Sequence, residues 1–146
     1  MNKNKTYVQK ANQEIVKWYI ADAKNQHLGR FSSKIAAILK GKNDTKYTSH
    51  VCNNVNIIII NAKLVKVTGN KRDQKIYTRH SGRPGGLKTE KMKDLQERMP
   101  NKIIEKAIKG MLPKNVLGRK LFRKLKIYSH NAHPHNAQKS DLITII

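Results

Sequence analysis

An α/β fold with a parallel sheet is predicted by three features of the sequence. They are a short apolar run at Trp18-Tyr19-Ile20-Ala21, a helical repeat starting at Leu28, and the unbroken β-branched block Ile57-Ile58-Ile59-Ile60. A strand covered on one face alternates apolar with polar residues, whereas a strand covered on both faces need not, and such strands belong to parallel sheets. Strand, helix and buried strand in that order make a βαβ unit.

The elements follow in order. Residues 1–14 are polar and are expected to form an extended arm. The first strand ends at Asp22. Leu28, Phe31, Ile35, Ile38 and Leu39 recur at helical spacing, and Gly41 supplies a stop flanked by Lys40 and Lys42 at the helix's negative end. After Asn61, Ala62–Val67 leads into Thr68-Gly69-Asn70-Lys71, a turn signal. Lys75–His80 reads as a third strand, Ser81–Gly86 as a Gly/Pro loop, and Thr89–Met99 as a polar helix. Pro100 opens another helix that runs to about Leu112, with Ile103, Ile104, Ala107, Ile108 and Met111 as its apolar stripe. A short helix over Leu117–Leu125 and a strand at Lys126–Tyr128 come next, and the tail from His130 carries little pattern. Without an internal repeat or linker, residues 1–146 are expected to form a single domain, with 1–14 and 130–146 as loosely structured arms.

A chain of 146 residues buries roughly 68–70% of its unfolded surface, which is enough for a core without staples. Lys and Arg number 31 against 9 Asp and Glu, a net charge of +22. A soluble surface alone needs a net charge of only about 2–8 in magnitude. The excess repels itself in any compact state, and a polyanionic partner relieves it. The basic residues run from Lys3 to Lys139, so the charge belongs to the whole domain. Lone Cys52 excludes an internal disulfide and fits a reducing compartment. No apolar run approaches the roughly 20 residues of a membrane span, and residues 1–17 carry no hydrophobic signal core, so no targeting segment and no membrane partner are expected. Lys (24) far exceeds Arg (7), and Asn (14) and Ile (16) are frequent, as an A+T-rich genome would give.

Several kinds of chemistry are tested by the residues and fail. Gly82-Arg83-Pro84-Gly85-Gly86-Leu87-Lys88-Thr89 is one residue from G-x-x-x-x-G-K-[ST]. Leu87 stands where the backbone must curl around phosphate, and Pro84 removes a donor from the cradle. The strand Ile57–Ile60 also ends in Asn61 and not in an Asp that would help hold Mg²⁺. A nucleotide-binding enzyme built on residues 82–89 is therefore kept as an alternative only. His130, His133 and His135 with Cys52 lack the spacing of a zinc site. Their expected role is hydrogen bonding or stacking against RNA. Cys52 sits among Asn residues without a base, and paired carboxylates are scarce. No enzyme, metal, cofactor or small-molecule substrate is expected.

Residues 109–125, KGMLPKNVLGRKLFRKL, hold six basic side chains and no acidic one. On a helix, Arg119 and Arg123 stack four apart, as do Lys120 and Lys124, opposite the stripe Leu117, Leu121 and Leu125. A solvated face would mix Glu with Lys. A membrane-surface helix would add Trp or Phe, and only Phe122 is present. A phosphate backbone is the better partner. Aromatic residues at 5% argue against a base-stacking sheet, and no DNA-recognition helix or dimerising module is evident. Folded RNA bound by shape and backbone is the reading, with a DNA-compacting basic protein as the other alternative.

Five runs, in order, are Trp18-Tyr19-Ile20-Ala21-Asp22-Ala23, Leu28-Gly29-Arg30, Val67-Thr68-Gly69-Asn70-Lys71, His80-Ser81-Gly82-Arg83-Pro84-Gly85-Gly86 and Lys109-Gly110-Met111-Leu112-Pro113-Lys114. With Leu117-Gly118-Arg119 and Phe122-Arg123-Lys124-Leu125-Lys126, they resemble the bacterial-type large-subunit ribosomal protein L13 family over roughly residues 16–140. The His80–Gly86 form and His133-Pro134-His135 resemble cyanobacterial and plastid members. The resemblance implies a three-layer α/β/α fold around a four-stranded, mostly parallel sheet. It also implies a structural role: binding large-subunit ribosomal RNA beside neighbouring ribosomal proteins and joining the particle early in assembly. In the matching motifs, Lys71, Arg72, Arg79, His80, Arg83, Lys109, Lys114, Arg119, Arg123 and Lys124 would contact RNA. Lys120 on the same helix face and Lys88 beside the Gly-rich loop are placed with them. Two positions depart from the family pattern: Cys52-Asn53-Asn54-Val55 replaces an Asp-x-Gly-Asp turn, and Ser140 replaces a Pro. Composition and the plastid-like loop point to the plastid stroma, with a bacterial cytoplasm as the alternative.

Overall fold

The computed structural model describes residues 16–138 and 140–143. The expected arm at 1–14 lies outside them. The first strand, β1 (Lys17–Asp22), is followed by helix α1 (Leu28–Lys40) and strand β2 (Val55–Ile60), the βαβ unit the sequence predicts. β1 and β2 run parallel in register from Lys17↔Val55 to Asp22↔Ile60. Strand β5 (Leu125–Ile127) adds to the far side of β2, and β6 (Asp141–Ile143) to the free side of β1. The order is β5-β2-β1-β6, every pairing is parallel, and helices lie on both sides.

The absence of alternation in β2 has a direct cause. Ile57 and Ile59 enter the main core, while Ile58 and Ile60 on the opposite face are 0% and 8% exposed. α1 buries Phe31, Ile35, Ala36 and Leu39 and ends at Gly41, whose φ of +81° lets its N–H reach the carbonyls of Ala37 and Ile38. A Cβ there would lie 2.6 Å from the Asn53 side chain, so Gly41 is required twice over.

Between β2 and α4 (Pro100–Met111) the chain builds an appendage to the sheet. A short helix α2 (Lys71–Gln74) precedes an antiparallel ribbon of β3 (Ile76–His80) and β4 (Leu87–Lys91), which runs straight into α3 (Met92–Arg98). The expected third strand therefore exists but belongs to this ribbon. The helix expected over Thr89–Met99 is corrected. Residues 87–91 pair with 76–80, and only from Met92 does the chain coil, because ladder bonds to β3 satisfy the backbone before that point. Met92, Leu95 and Ile103 form a small second core, with Leu28, Val67 and Tyr77 packed against it. Arg98 clamps Glu90 through Nη2–Oε2 at 2.8 Å and Nε–Oε1 at 3.1 Å, tying α3 to β4.

Three other boundaries move. Helix α5 spans Val116–Arg123, ending two residues before the expected Leu125, and the following strand starts at Leu125, one residue before the expected Lys126. Met111 is 47% exposed and lies outside the buried stripe of α4, which consists of Ile103, Ile104 and Ile108. The tail beyond His130, expected to be loose, supplies β6.

Candidate nucleic-acid interface

α4 has two faces. Its apolar stripe packs inward, and Lys102, Lys106 and Lys109 recur at i, i+4 and i+7 on the outer side, all exposed. Only Lys109 is anticipated from the motifs. Lys102 and Lys106 are legible from the same helical spacing, read for charge. Lys102 Nζ reaches Glu105 at 2.7 Å, and Lys106 Nζ sits 4.3 Å from the centre of the Tyr77 ring. Burial among these groups raises the Tyr77 phenol above its ordinary pKa.

The β3–β4 ribbon stands beside α4 and leaves a groove of about 550 Å³ between them. Arg79, Lys88, Lys102, Lys106 and Lys109 line it, together with Glu90 and Glu105. A second groove of about 420 Å³ follows, between the Leu112–Lys114 turn and α5. Four cations line this one, Lys109, Lys114, Arg119 and Arg123, and no carboxylate does. Lys109 and Phe122 border both grooves, with Lys109 Nζ 5.8 Å from the Phe122 ring centre. The two grooves therefore form one basic arc.

The turn that presents the second groove is held by its own residues. Asn115 caps α5, its Oδ1 accepting from Gly118 N at 2.8 Å. Gly118 is buried, and a Cβ there would lie 1.8 Å from the Pro113 carbonyl oxygen. Only a glycine lets the helix approach the turn so closely. Leu121 is 1% exposed beneath, so the cations of α5 project from an anchored helix.

Of the twelve basic residues named from the sequence, eleven are exposed. Arg79, Lys88, Lys109, Lys114, Arg119 and Arg123 fall together on the arc. Lys71 and Arg72 lie apart on α2, and Lys120 lines neither groove. His80 and Arg83 lie at the ribbon's tip, where Gly82 N donates to His80 Nδ1 at 3.0 Å. Lys124 is the departure. It lies just past α5, partly buried, and its Nζ donates to the Asn53 carbonyl and, at 3.1 Å, to Asn54 Oδ1. Its charge ties the α5–β5 junction to the loop before β2.

Residues 82–89 do not make a nucleotide cradle. They are the turn of an antiparallel hairpin and the start of its second strand, with Gly82 and Gly85 at positive φ, and Lys88 and Thr89 are strand residues. A phosphate cradle needs the N-terminus of a helix there. The tail histidines form contacts within the fold: His135 Nε2 lies 2.8 Å from the Tyr128 hydroxyl, and the His135 ring lies 5.7 Å from that of Trp18. Among the described residues, no helix is long and apolar enough to cross a membrane.

Comparison with known proteins places these features in company. The family model for Ribosomal protein L13 matches residues 16–134. Large ribosomal subunit protein uL13 of Acaryochloris marina is 56% identical over 141 residues, which is 97% of this chain and 93% of that protein. The corresponding protein of Gloeothece citriformis is 58% identical over 128 residues, 88% of this chain and 85% of its own. Large ribosomal subunit protein uL13c of the alga Gracilaria tenuistipitata var. liui is 54% identical over 143 residues, covering 98% and 99%.

Proposed function

The chain belongs to the ribosomal protein L13 family, and from that premise we propose that the basic arc on the ribbon, α4 and α5 is its ribosomal RNA contact. The protein is a structural, non-enzymatic constituent of the large ribosomal subunit, where it contacts large-subunit ribosomal RNA and other ribosomal proteins. The observation that carries the assignment of the surface is the second groove, where four cations converge without a carboxylate in a chain of net charge +22. Phosphates neutralise such a surface and release their counterions, which makes binding strong and salt-dependent. Lys71 and Arg72 on α2, His80 and Arg83 at the ribbon tip, and Lys120 on α5 extend the contact to further RNA segments.

We also propose that residues 1–146 act as one RNA-binding domain that joins the particle early. Resemblance to uL13c of Gracilaria tenuistipitata var. liui and to cyanobacterial uL13 supports a plastid stroma as its place, with a bacterial cytoplasm as the alternative. Cosedimentation with large subunits tests the function, and competition between ribosomal RNA and duplex DNA tests the ligand. Retention on the large subunit and preference for ribosomal RNA are expected. Equal affinity for duplex DNA would replace this reading with that of a general DNA-compacting protein.

A further inference from the structure

We propose that the groove between the Leu112–Lys114 turn and α5 takes an unpaired RNA base, stacked on Phe122, while the cations around it hold the flanking phosphates. The inference rests on the RNA reading above and goes beyond backbone contact. A phosphate backbone bound from outside needs projecting cations and gains nothing from an apolar recess. Here the recess exists. Leu112, Pro113 and Phe122 line it within a volume of about 420 Å³, and the cations lie around them. An apolar centre ringed by positive charge matches an extruded nucleotide, whose base offers π faces and whose flanking groups are anionic.

Phe122 is suited to the task. It is only partly buried, it borders both grooves, and Lys109 Nζ approaches its ring at 5.8 Å. The recess is rigid because Gly118 abuts the Pro113 carbonyl and Asn115 caps the helix. The larger neighbouring groove is the weaker candidate, since Glu90 and Glu105 line it and would meet the incoming phosphates.

The test binds the full chain to deproteinised large-subunit ribosomal RNA. Backbone contact is read by hydroxyl-radical footprinting, and base accessibility by dimethyl sulfate and carbodiimide. The unmutated chain is expected to shield the base of at least one unpaired nucleotide. Phe122→Leu keeps an apolar side chain without a π face. It should restore that base's reactivity, keep the backbone footprint and weaken binding by about tenfold, as loss of one stacked base does. Phe122→Tyr should behave as the unmutated chain. Ultraviolet crosslinking of the unmutated chain should attach the same nucleotide to the peptide carrying Phe122, a readout that does not depend on how Phe122→Leu folds. Identical base reactivity with a folded Phe122→Leu, or crosslinks that map only elsewhere, would overturn the proposal. Loss of the backbone footprint in the unmutated chain would instead overturn the RNA reading beneath it.

Discussion

Arg79 and Lys88 stand directly opposite each other across the β3–β4 ribbon, a like-charged pair where a sheet is stabilised by opposite charges. Both are exposed and both line the groove beside α4. Such a pair is unfavourable in the free protein and favourable once a phosphate lies between the two side chains.

Lys88→Gln separates the two effects. Relief of the repulsion should raise the stability of the free protein by about 0.2–1 kcal/mol. Loss of a phosphate contact should lower the slope of log affinity against log salt by about one. Thermal unfolding and RNA binding across a salt series measure the two. An unchanged slope would remove Lys88 from the contact.

The two faces of α5 should respond oppositely. Leu121 is 1% exposed, so Leu121→Ala is expected to cost roughly 2–5 kcal/mol through lost transfer energy and the cavity left behind. Arg123 is exposed, so Arg123→Gln should change stability by no more than about 0.5 kcal/mol and act on the salt slope. Unfolding by Arg123→Gln with little effect of Leu121→Ala would invert the assignment.

The cap on α5 is a separate handle. Asn115→Ala removes the acceptor for Gly118 N and should cost about 0.5–2 kcal/mol. Asn115→Asp keeps an acceptor and should retain most of the stability. Urea titration of the three proteins checks this, and equal loss in both variants would show that the cap is not the cause.

Ser32 presents the reverse case. It is 0% exposed within α1, and its hydroxyl has no partner among the described residues. Ser32→Ala removes an unsatisfied buried group and improves helix propensity, so a gain of about 1 kcal/mol is expected in urea titration. A loss would mean that the hydroxyl is satisfied in solution.

What the sequence reveals follows the strength of its periodic signals. The Ile57–Ile60 block fixes its strand because both faces are buried, and the Leu28–Leu39 repeat fixes its helix because one face is, with Phe31, Ile35 and Leu39 inward and Arg30, Ser33 and Lys34 exposed. The ribbon is harder to read. Residues 87–91 are LKTEK, with no apolar alternation, and their extended form comes from pairing with β3 and not from local preference. β6 has three residues and a single long-range partner strand, too little to register as a pattern. At the interface, the motif cations along 109–123 are legible because acids are absent there. Lys124 shows the limit. Its charge reads like its neighbours' until the fold brings Asn53 and Asn54 to it from about 70 residues away.

Pairing of Tyr19 with Asp141 has a consequence for synthesis. β1 can zip to β2 once residues 17–60 have emerged, since only the βαβ segment is needed. Its other edge stays open until residues 141–143 have been made, because no earlier segment pairs there among the described residues. An open edge invites pairing with foreign strands, and a chain made from one end to the other carries that hazard for almost its entire synthesis. Covering that edge of β1 is therefore a late step, and a nascent chain stalled before residue 141 should expose β1 to capture by chaperones or by other chains.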